Sequence, residues 1–493
     1  MFTGRQLAAF GFACAAMLLI SHAAFLNTPF FWDELGQFIP AALDVFHHAT
    51  LVPVSTIPNV HPPGLMVLLA GVWKTFGYSV MVTRVAMLLV ASAGLVLTYK
   101  LTGTLCEGES FAPHSAVMAA GLLVVSPLYF SQSMMALLDM PAMVLMILAL
   151  WLFLEERIAA SALCCVALVL VKETGLVAPA VFGIWLWKER RWREGLWFTL
   201  PLAALAVWLV ALHGATGHWF GNSEFAEYNL TYPLHPVRLL MAVVRRVYFL
   251  FVANGRVIGL LALALTFGMR LFQTRRWRIV AALAVVHTVA ISVAGGAVLE
   301  RYLLPVFPLC YAAFAVALES VAPRLRTPAT AVFFLLSIAG IFVNPPYPFP
   351  LENNLAWVSF VDLEQQAAAF VETTYPVSTV ATSFPMGGAL RRAEFGFVHH
   401  DMRVLDMNDF TPASIEKLKT QNVRALVYFN VLWDPSQFFS NYTVRSFLQR
   451  YYGYQPQASV HDVERTLKAK LVREWERDGL TMQCFELPVS VAK

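Results

Sequence analysis

The chain has 493 residues, of which 58% are hydrophobic and 13% charged, with a formal net charge of +4 and a mean hydropathy of +0.62. Soluble domains carry about 25% charged residues, so half that share over this length excludes a soluble enzyme and points to a polytopic α-helical membrane protein. The small positive surplus sits in short clusters between apolar runs and reads as topology signal rather than as a nucleic-acid surface.

A helical span needs roughly 20 apolar residues. In chain order the sequence offers eleven, near 7–26, 79–104, 115–131, 139–156, 158–172, 174–187, 196–212, 247–269, 279–297, 302–320 and 328–343. The first follows Arg5 and resembles a signal peptide in outline; with so many spans behind it, an uncleaved helix is the better reading. The clusters "KERRWRE" (188–194), "MRLFQTRRWR" (269–278) and "PRLR" (323–326) fall on one side of an eleven-span chain, as Arg5 does. The positive-inside rule then sets the N-terminus in the cytoplasm and everything beyond 344 outside.

Residues 27–78 form a large first external loop with no Lys or Arg before Lys74. It opens on "FFWDE", so the paired acids Asp33 and Glu34 stand at the foot of the first span. The stretch 34–48 is amphipathic, and 64–76 is apolar but too short to cross, which suits interfacial or re-entrant helices. From "NPPYPFP" onward charge becomes frequent. Residues 350–493 read as an external mixed α/β domain, with strands at "STVATSFP" and "VRALVYFNV" and solvated helices at "SIEKLKTQN" and "DVERTLKAKLVREWERD". Of the six cysteines only Cys484 lies in that domain, so no structural disulfide is expected there.

Ionisable residues out of place in apolar surroundings recur at the external ends of spans: Asp33, Glu34, His61 in "NVHPPG", Asp139 in "MALLDMP", Lys172 and Glu173 in "LVLVKETG", and Glu300 and Arg301 in "AVLERYLLP". Charge at membrane depth is costly and mostly functional. Each residue also has a structural explanation. Asp33 and Asp139 suit helix caps, Lys172 suits snorkelling, Arg301 suits a pair with Glu300, and His61 suits an ordinary loop. His47 and His48 could ligate a metal near the acid pair, but a solvated interfacial face explains them as well.

The series "FFWDE", "HPPG" leading into "LMVLLAGVWKTFGYSVMVTRVAMLL", "SQSMMALLDMPAMV", "LVKETG" and "ERYLLPVFP" resembles the GT-C membrane glycosyltransferases of the protein O-mannosyltransferase and lipid A aminoarabinose transferase type. The likeness spans roughly residues 1–345 and rests most on the Asp-Glu pair. This chain has "HPPG" where family members often have Lys-Pro-Pro-Leu. The resemblance implies a GT-C-like membrane catalytic domain over 1–345 that passes a sugar from a polyprenyl-phosphate donor to a lipid, glycan or protein acceptor on the external face. It implies Asp33 as general base with Glu34 in support, and Lys172, Arg301 and His61 at the donor phosphate. Asp139, Glu173, Glu300 and Tyr302 fall to the sugar or acceptor. No cofactor is required, and a divalent cation is compatible with the residues. A polyprenyl-linked glycan flippase would gather its charges near the midplane. An oligosaccharide ligase using a diphosphate-linked donor stays open, whereas a receptor would leave the buried charges unexplained. The compartment expected is a bacterial inner membrane with a periplasmic tail. The sequons at 229–231 and 441–443 are too common by chance to favour the endoplasmic reticulum.

Overall fold

The computed structural model describes residues 3–267 and 273–488. The chain divides into two compact units: Met1–Ala24 with Ala41–Val343, and Phe25–Pro40 with Asn344–Lys493.

The first unit is helical. Among the described residues six helices are long and apolar enough to cross a membrane: Gly4–Ser21, Val80–Leu105, Trp192–Thr216, Arg275–Val293, Glu300–Glu319 and Pro323–Phe342. The pair Pro236–Phe251 and Ala253–Leu265, bent by 49°, makes a seventh if taken as one span. Shorter apolar helices run over Gly64–Phe76, Ala112–Val124, Asp139–Leu154 and Ile158–Val171. This is a multi-pass membrane protein.

Local chemistry sets the breaks. Thr3 caps the first helix through a reciprocal capping box with Gln6. The span expected over 115–131 stops at Val124, because Ser126 precedes Pro127 and takes an extended ψ of 126° before a new short helix begins. The span expected at 247–269 begins instead at Pro236, where Arg238, Arg245 and Arg246 had masked an amphipathic helix. It kinks at Asn254, whose φ is 52°, and its expected end at 269 lies outside the described residues. Lys172 is extended (φ −149°, ψ 125°), which separates Ile158–Val171 from the 3-10 turn Glu173–Leu176 and the helix Val177–Lys188. Helices approach closely where side chains are small. A Cβ on Gly64 would lie 2.5 Å from the Leu170 carbonyl oxygen, so only glycine lets the 64–76 helix start against the end of 158–171.

The second unit is built on a five-stranded sheet of β1 (Val380–Ser383), β2 (Val404–Met407), β3 (Ala425–Phe429), β4 (Lys470–Arg477) and β5 (Leu480–Glu486), ordered β2-β1-β3-β5-β4. The pairs β1–β2 and β1–β3 are parallel, whereas β5 runs antiparallel to both β3 and β4. β1 and β3 are buried along their whole length, as strands covered on both faces should be. The expected strands at 378–385 and 423–431 contain β1 and β3.

The expected helix over 462–478 is half wrong. The helix Val460–Leu467 ends at left-handed Lys468, and 470–477 is strand β4. Asp478-Gly479, at φ 51° and 76°, turns β4 into β5. An Asp-Gly pair between alternating segments is a hairpin signal, and the dense charge of "KLVREWER" had concealed it.

Residues 25–40 fold with the C-terminal part. Phe31 packs on Trp357 and Phe360, each at 6.0 Å between ring centroids, and Trp32 sits edge-on to Phe384 at 5.5 Å. A Cβ on Gly36 would come within 2.7 Å of the Phe384 ring. The helix Ala356–Thr374 presents Trp357 and Phe360, and one turn further Glu364 is fully buried with neither carboxylate oxygen hydrogen-bonded.

Burial pushes the Glu364 carboxyl well above the usual Glu value. The folded unit therefore keeps a proton that the unfolded chain releases above about pH 4.3. Stability of this helix should fall as pH rises from there, by at most about 1.4 kcal/mol per pH unit. Hydrogen exchange on peptides of 356–374, corrected for intrinsic rates, should show that slope in the wild type and lose it in Glu364→Gln. Equal slopes in the two proteins would contradict the assignment.

Candidate functional site

In the first unit, Asp139 opens the helix Asp139–Leu154 without a side-chain capping bond. Its carboxylate instead meets two cations: Lys172 Nζ donates to Oδ1 at 2.5 Å, and Arg301 Nε lies 3.4 Å from Oδ2. All three residues are buried. Buried charges persist only when paired, so this cluster explains how Lys172 and Arg301 are held in apolar surroundings. Lys172 does not snorkel outward; its ammonium stands 4.3 Å from the centre of the Tyr302 ring, with the Arg301 guanidinium 5.6 Å away on the same ring.

The Arg301–Glu300 pair offered by the sequence does not form the core of the cluster. Glu300 engages Arg245 at 2.6–2.7 Å, whereas Arg301 faces Asp139. The reason is local: residues 300–306 form a 3-10 helix, with three residues per turn, so adjacent side chains diverge by about 120°. Two buried groups brace that turn. His287 Nε2 bonds the Tyr302 carbonyl at 2.9 Å, and Arg246 donates to the carbonyls of Ile291 at 2.8 Å and Leu299 at 3.4 Å.

His61 is drawn to the same region. Its Nδ1 lies 2.9 Å from Glu173 Oε2, and its backbone N–H donates to Asn59 Oδ1. The loop is fixed from outside by Trp208 Nε1 on the Val60 carbonyl and Asn222 Nδ2 on the Pro58 carbonyl. His61, Lys172, Glu173 and Tyr302 border a cavity of about 120 Å³ closed on its apolar side by residues such as Phe225 and Ile291. That volume has room for several waters or a small anionic head group. The residues 61, 139, 172, 173, 301 and 302, remote in sequence, are thus one constellation, with Glu300 at its edge.

Sequence reasoning missed Arg84, Arg245, Arg246 and His287. Arg84 is wholly buried in Val80–Leu105 and donates to the Met134 carbonyl at 3.0 Å, in the chain that leads to Asp139. Arginines inside "VMVTRVAMLL" and "MAVVRRVYFLF" were the available signal.

The acid pair belongs to the second unit. Glu34 is fully buried, and its Oε2 accepts the Phe31 N–H at 2.9 Å, closing the "FFWDE" turn. Asp33 is half-exposed and makes no capping bond to the π-helical turn Glu34–Phe38 that it precedes. Immediately before it Trp32 sits at φ 46°, a left-handed conformation that costs a bulky side chain on the order of 1–3 kcal/mol. Aromatic packing holds that strain in place. The two acids therefore differ: Glu34 is buried and closes the turn, whereas Asp33 is only partly buried. Among the described residues no group of three or more His, Cys, Asp or Glu side chains is set to hold a metal ion, His47 and His48 included.

No protein-family model matches the sequence, and no curated protein matches it. Solved structures do. The chain aligns over 100% of its length with 100% of ArnT from Cupriavidus metallidurans bound to undecaprenyl phosphate, at 13% identity and a TM-score of 0.56. Against the apo state of the same protein the coverage is 97% and 98%, the identity 13% and the TM-score 0.51. At this identity the likeness is one of fold: the chain has the fold of ArnT, a GT-C membrane glycosyltransferase.

Proposed function

We propose that this protein transfers a sugar from a polyprenyl-phosphate donor to an acceptor hydroxyl on the external face of the membrane. The observation that carries the reading is the buried Asp139–Lys172–Arg301 cluster, two cations on one carboxylate beside a small cavity in the membrane unit. Such a surplus of positive charge suits a phosphate. The fold shared with an undecaprenyl phosphate-bound ArnT supports it.

In this reading Lys172 and Arg301 bind the donor phosphate and stabilise the charge that develops as the anomeric C–O bond breaks, where low dielectric strengthens the effect. His61, oriented by Glu173, adds a donor to the phosphate. Tyr302 and Glu300 line the sugar or acceptor side. Asp33 takes the acceptor hydroxyl proton while that oxygen attacks the anomeric carbon opposite the phosphate, so the configuration inverts and polyprenyl phosphate leaves. Glu34 fixes the Asp33 turn. The acceptor is a lipid A-type glycolipid, another glycan or a protein.

The reading includes the topology: eleven crossings, with the bent pair as one and the short helices Ala112–Val124, Asp139–Leu154, Ile158–Val171 and Val177–Lys188 crossing while Gly64–Phe76 does not, residues 1–345 as the membrane catalytic domain, and 350–493 in the periplasm of a bacterial inner membrane. Reporter fusions after Lys188, Arg275 and Lys493 should then read cytoplasm, cytoplasm and exterior. A cytoplasmic signal at Lys493 would overturn the arrangement.

The function is tested with the lipid that accumulates when the gene is deleted. A polyprenyl-phosphate sugar should build up, and purified protein should release polyprenyl phosphate from it. An unchanged lipid profile together with no release would defeat the reading.

A further inference from the structure

In the first unit the helix Val177–Lys188 and the span Trp192–Thr216 are joined by a tight turn. Their facing sides are packed. Phe182 meets Phe198 with ring centroids 5.6 Å apart, and a Cβ on Gly183 would touch the Phe198 Cβ at 3.6 Å. Other sides of the same helices are uncovered: Ile184 and Trp187 before the turn, and Trp192, Leu196, Trp197 and Leu200 after it, are all exposed, Trp187 by 73%. Apolar surface of this kind on a membrane helix faces lipid.

The charges of the turn divide into two sets. Arg191 is engaged by Glu194 at 2.6 Å and Glu156 at 2.8 Å. Arg275, from the span Arg275–Val293, engages Glu189 at 2.6 Å and Glu156 at 3.0 Å. Both acids of the turn, Glu189 and Glu194, are therefore neutralised. Lys188, Arg190 and Arg193 are exposed, and among the described residues none of the three has an acidic partner. Arg193 lies instead over the Trp192 ring at 5.0 Å. Arg190 has a left-handed φ of 60° just past the helix end, where glycine is the residue that fits without cost. A strained position is thus occupied by a cation that pairs with nothing in the protein.

We infer that this turn holds the head group of an anionic phospholipid of the surrounding bilayer, with the acyl chains lying along the exposed apolar residues on either side. Two observations choose that occupant. Tryptophan settles at the boundary between hydrocarbon and water, so Trp187, Trp192 and Trp197 set the turn at head-group depth. Three cations without counter-ions at that depth are complementary to a lipid of net negative charge and not to a zwitterionic one. A second copy of the chain fits poorly, because a two-fold contact would set the same three cations against themselves. The inference rests on residence in a membrane and not on the transfer reaction.

The test uses the full chain in a neutral detergent, titrated with phosphatidylglycerol or with phosphatidylcholine of the same acyl chains, and bound lipid is counted by native mass spectrometry. Each basic side chain near an anionic head group is worth about fivefold in binding, so wild type should prefer phosphatidylglycerol by on the order of a hundredfold. Lys188→Gln, Arg190→Gln and Arg193→Gln combined should remove that preference and leave phosphatidylcholine binding unchanged. Should the triple variant fold poorly, Arg193→Gln alone should remove about fivefold of it. Arg324→Gln, at an exposed cation elsewhere in the unit, and Lys172→Ala, in the Asp139 cluster, should both retain the preference. Equal binding of the two lipids by wild type overturns the inference. So does a preference that survives the triple variant, or one that Arg324→Gln or Lys172→Ala abolishes as fully.

Discussion

Asp33→Asn should yield a folded protein that transfers sugar about 10²–10⁴-fold more slowly, the usual contribution of a positioned general base. Asparagine has the size of aspartate and caps a helix about as well. In any case Asp33 makes no capping bond, so loss of a cap cannot account for lost activity. What disappears is the carboxylate of a partly buried residue in a turn strained at Trp32. Glu34→Gln should be milder, because the glutamine carbonyl still accepts the Phe31 N–H that Glu34 now holds. Initial rates of polyprenyl phosphate release, read beside thermal unfolding, separate chemistry from folding. Folded Asp33→Asn within a few-fold of wild type would return this residue to a structural role.

Removing Asp139 should have the largest effect on stability. Asp139→Ala leaves Lys172 and Arg301 facing one another while still buried, and breaking a buried pair by deleting one partner costs about 3–5 kcal/mol. Deleting Lys172 as well should recover part of that loss, since the pair interacts directly and the two changes are not additive. The anion is what is missing, so added polyprenyl phosphate should raise the unfolding temperature of Asp139→Ala more than that of the wild type. A variant as stable as wild type, with no response to the lipid, would show that the cluster is not held together by its charges.

Much of this site could be read from the sequence because charge is conspicuous in an apolar chain. Asp139, Lys172 and Arg301 stood out as polar residues at the ends of apolar runs, and the structure brings them together. Their partners could not be read. Whether Arg301 faces Glu300 or Asp139 depends on the 3-10 turn at 300–306, and whether Asp139 caps a helix depends on the extended Lys172 that swings into reach. Arg84, Arg245 and Arg246 escaped notice because each sits inside a run that still averages apolar. In the second unit the parallel strands β1 and β3 announced themselves as short apolar runs. Strand β4 did not, because its charged residues imitate a solvated helix and only Asp478-Gly479 marks the hairpin. The packing of 25–40 with the C-terminal part is a long-range aromatic match through Trp357, Phe360 and Phe384, and local pattern carries no trace of it.

The most direct test of the central claim is binding of polyprenyl phosphate, compared with the polyprenol of equal length that lacks the phosphate. Wild-type protein should bind the phosphate form far more tightly. Each of Lys172→Ala and Arg301→Ala should lose on the order of 1.5–3 kcal/mol, roughly ten- to a hundredfold in affinity, while leaving polyprenol binding unchanged. Equal binding of the two lipids by wild type, or undiminished phosphate binding by Arg301→Ala, would contradict the account.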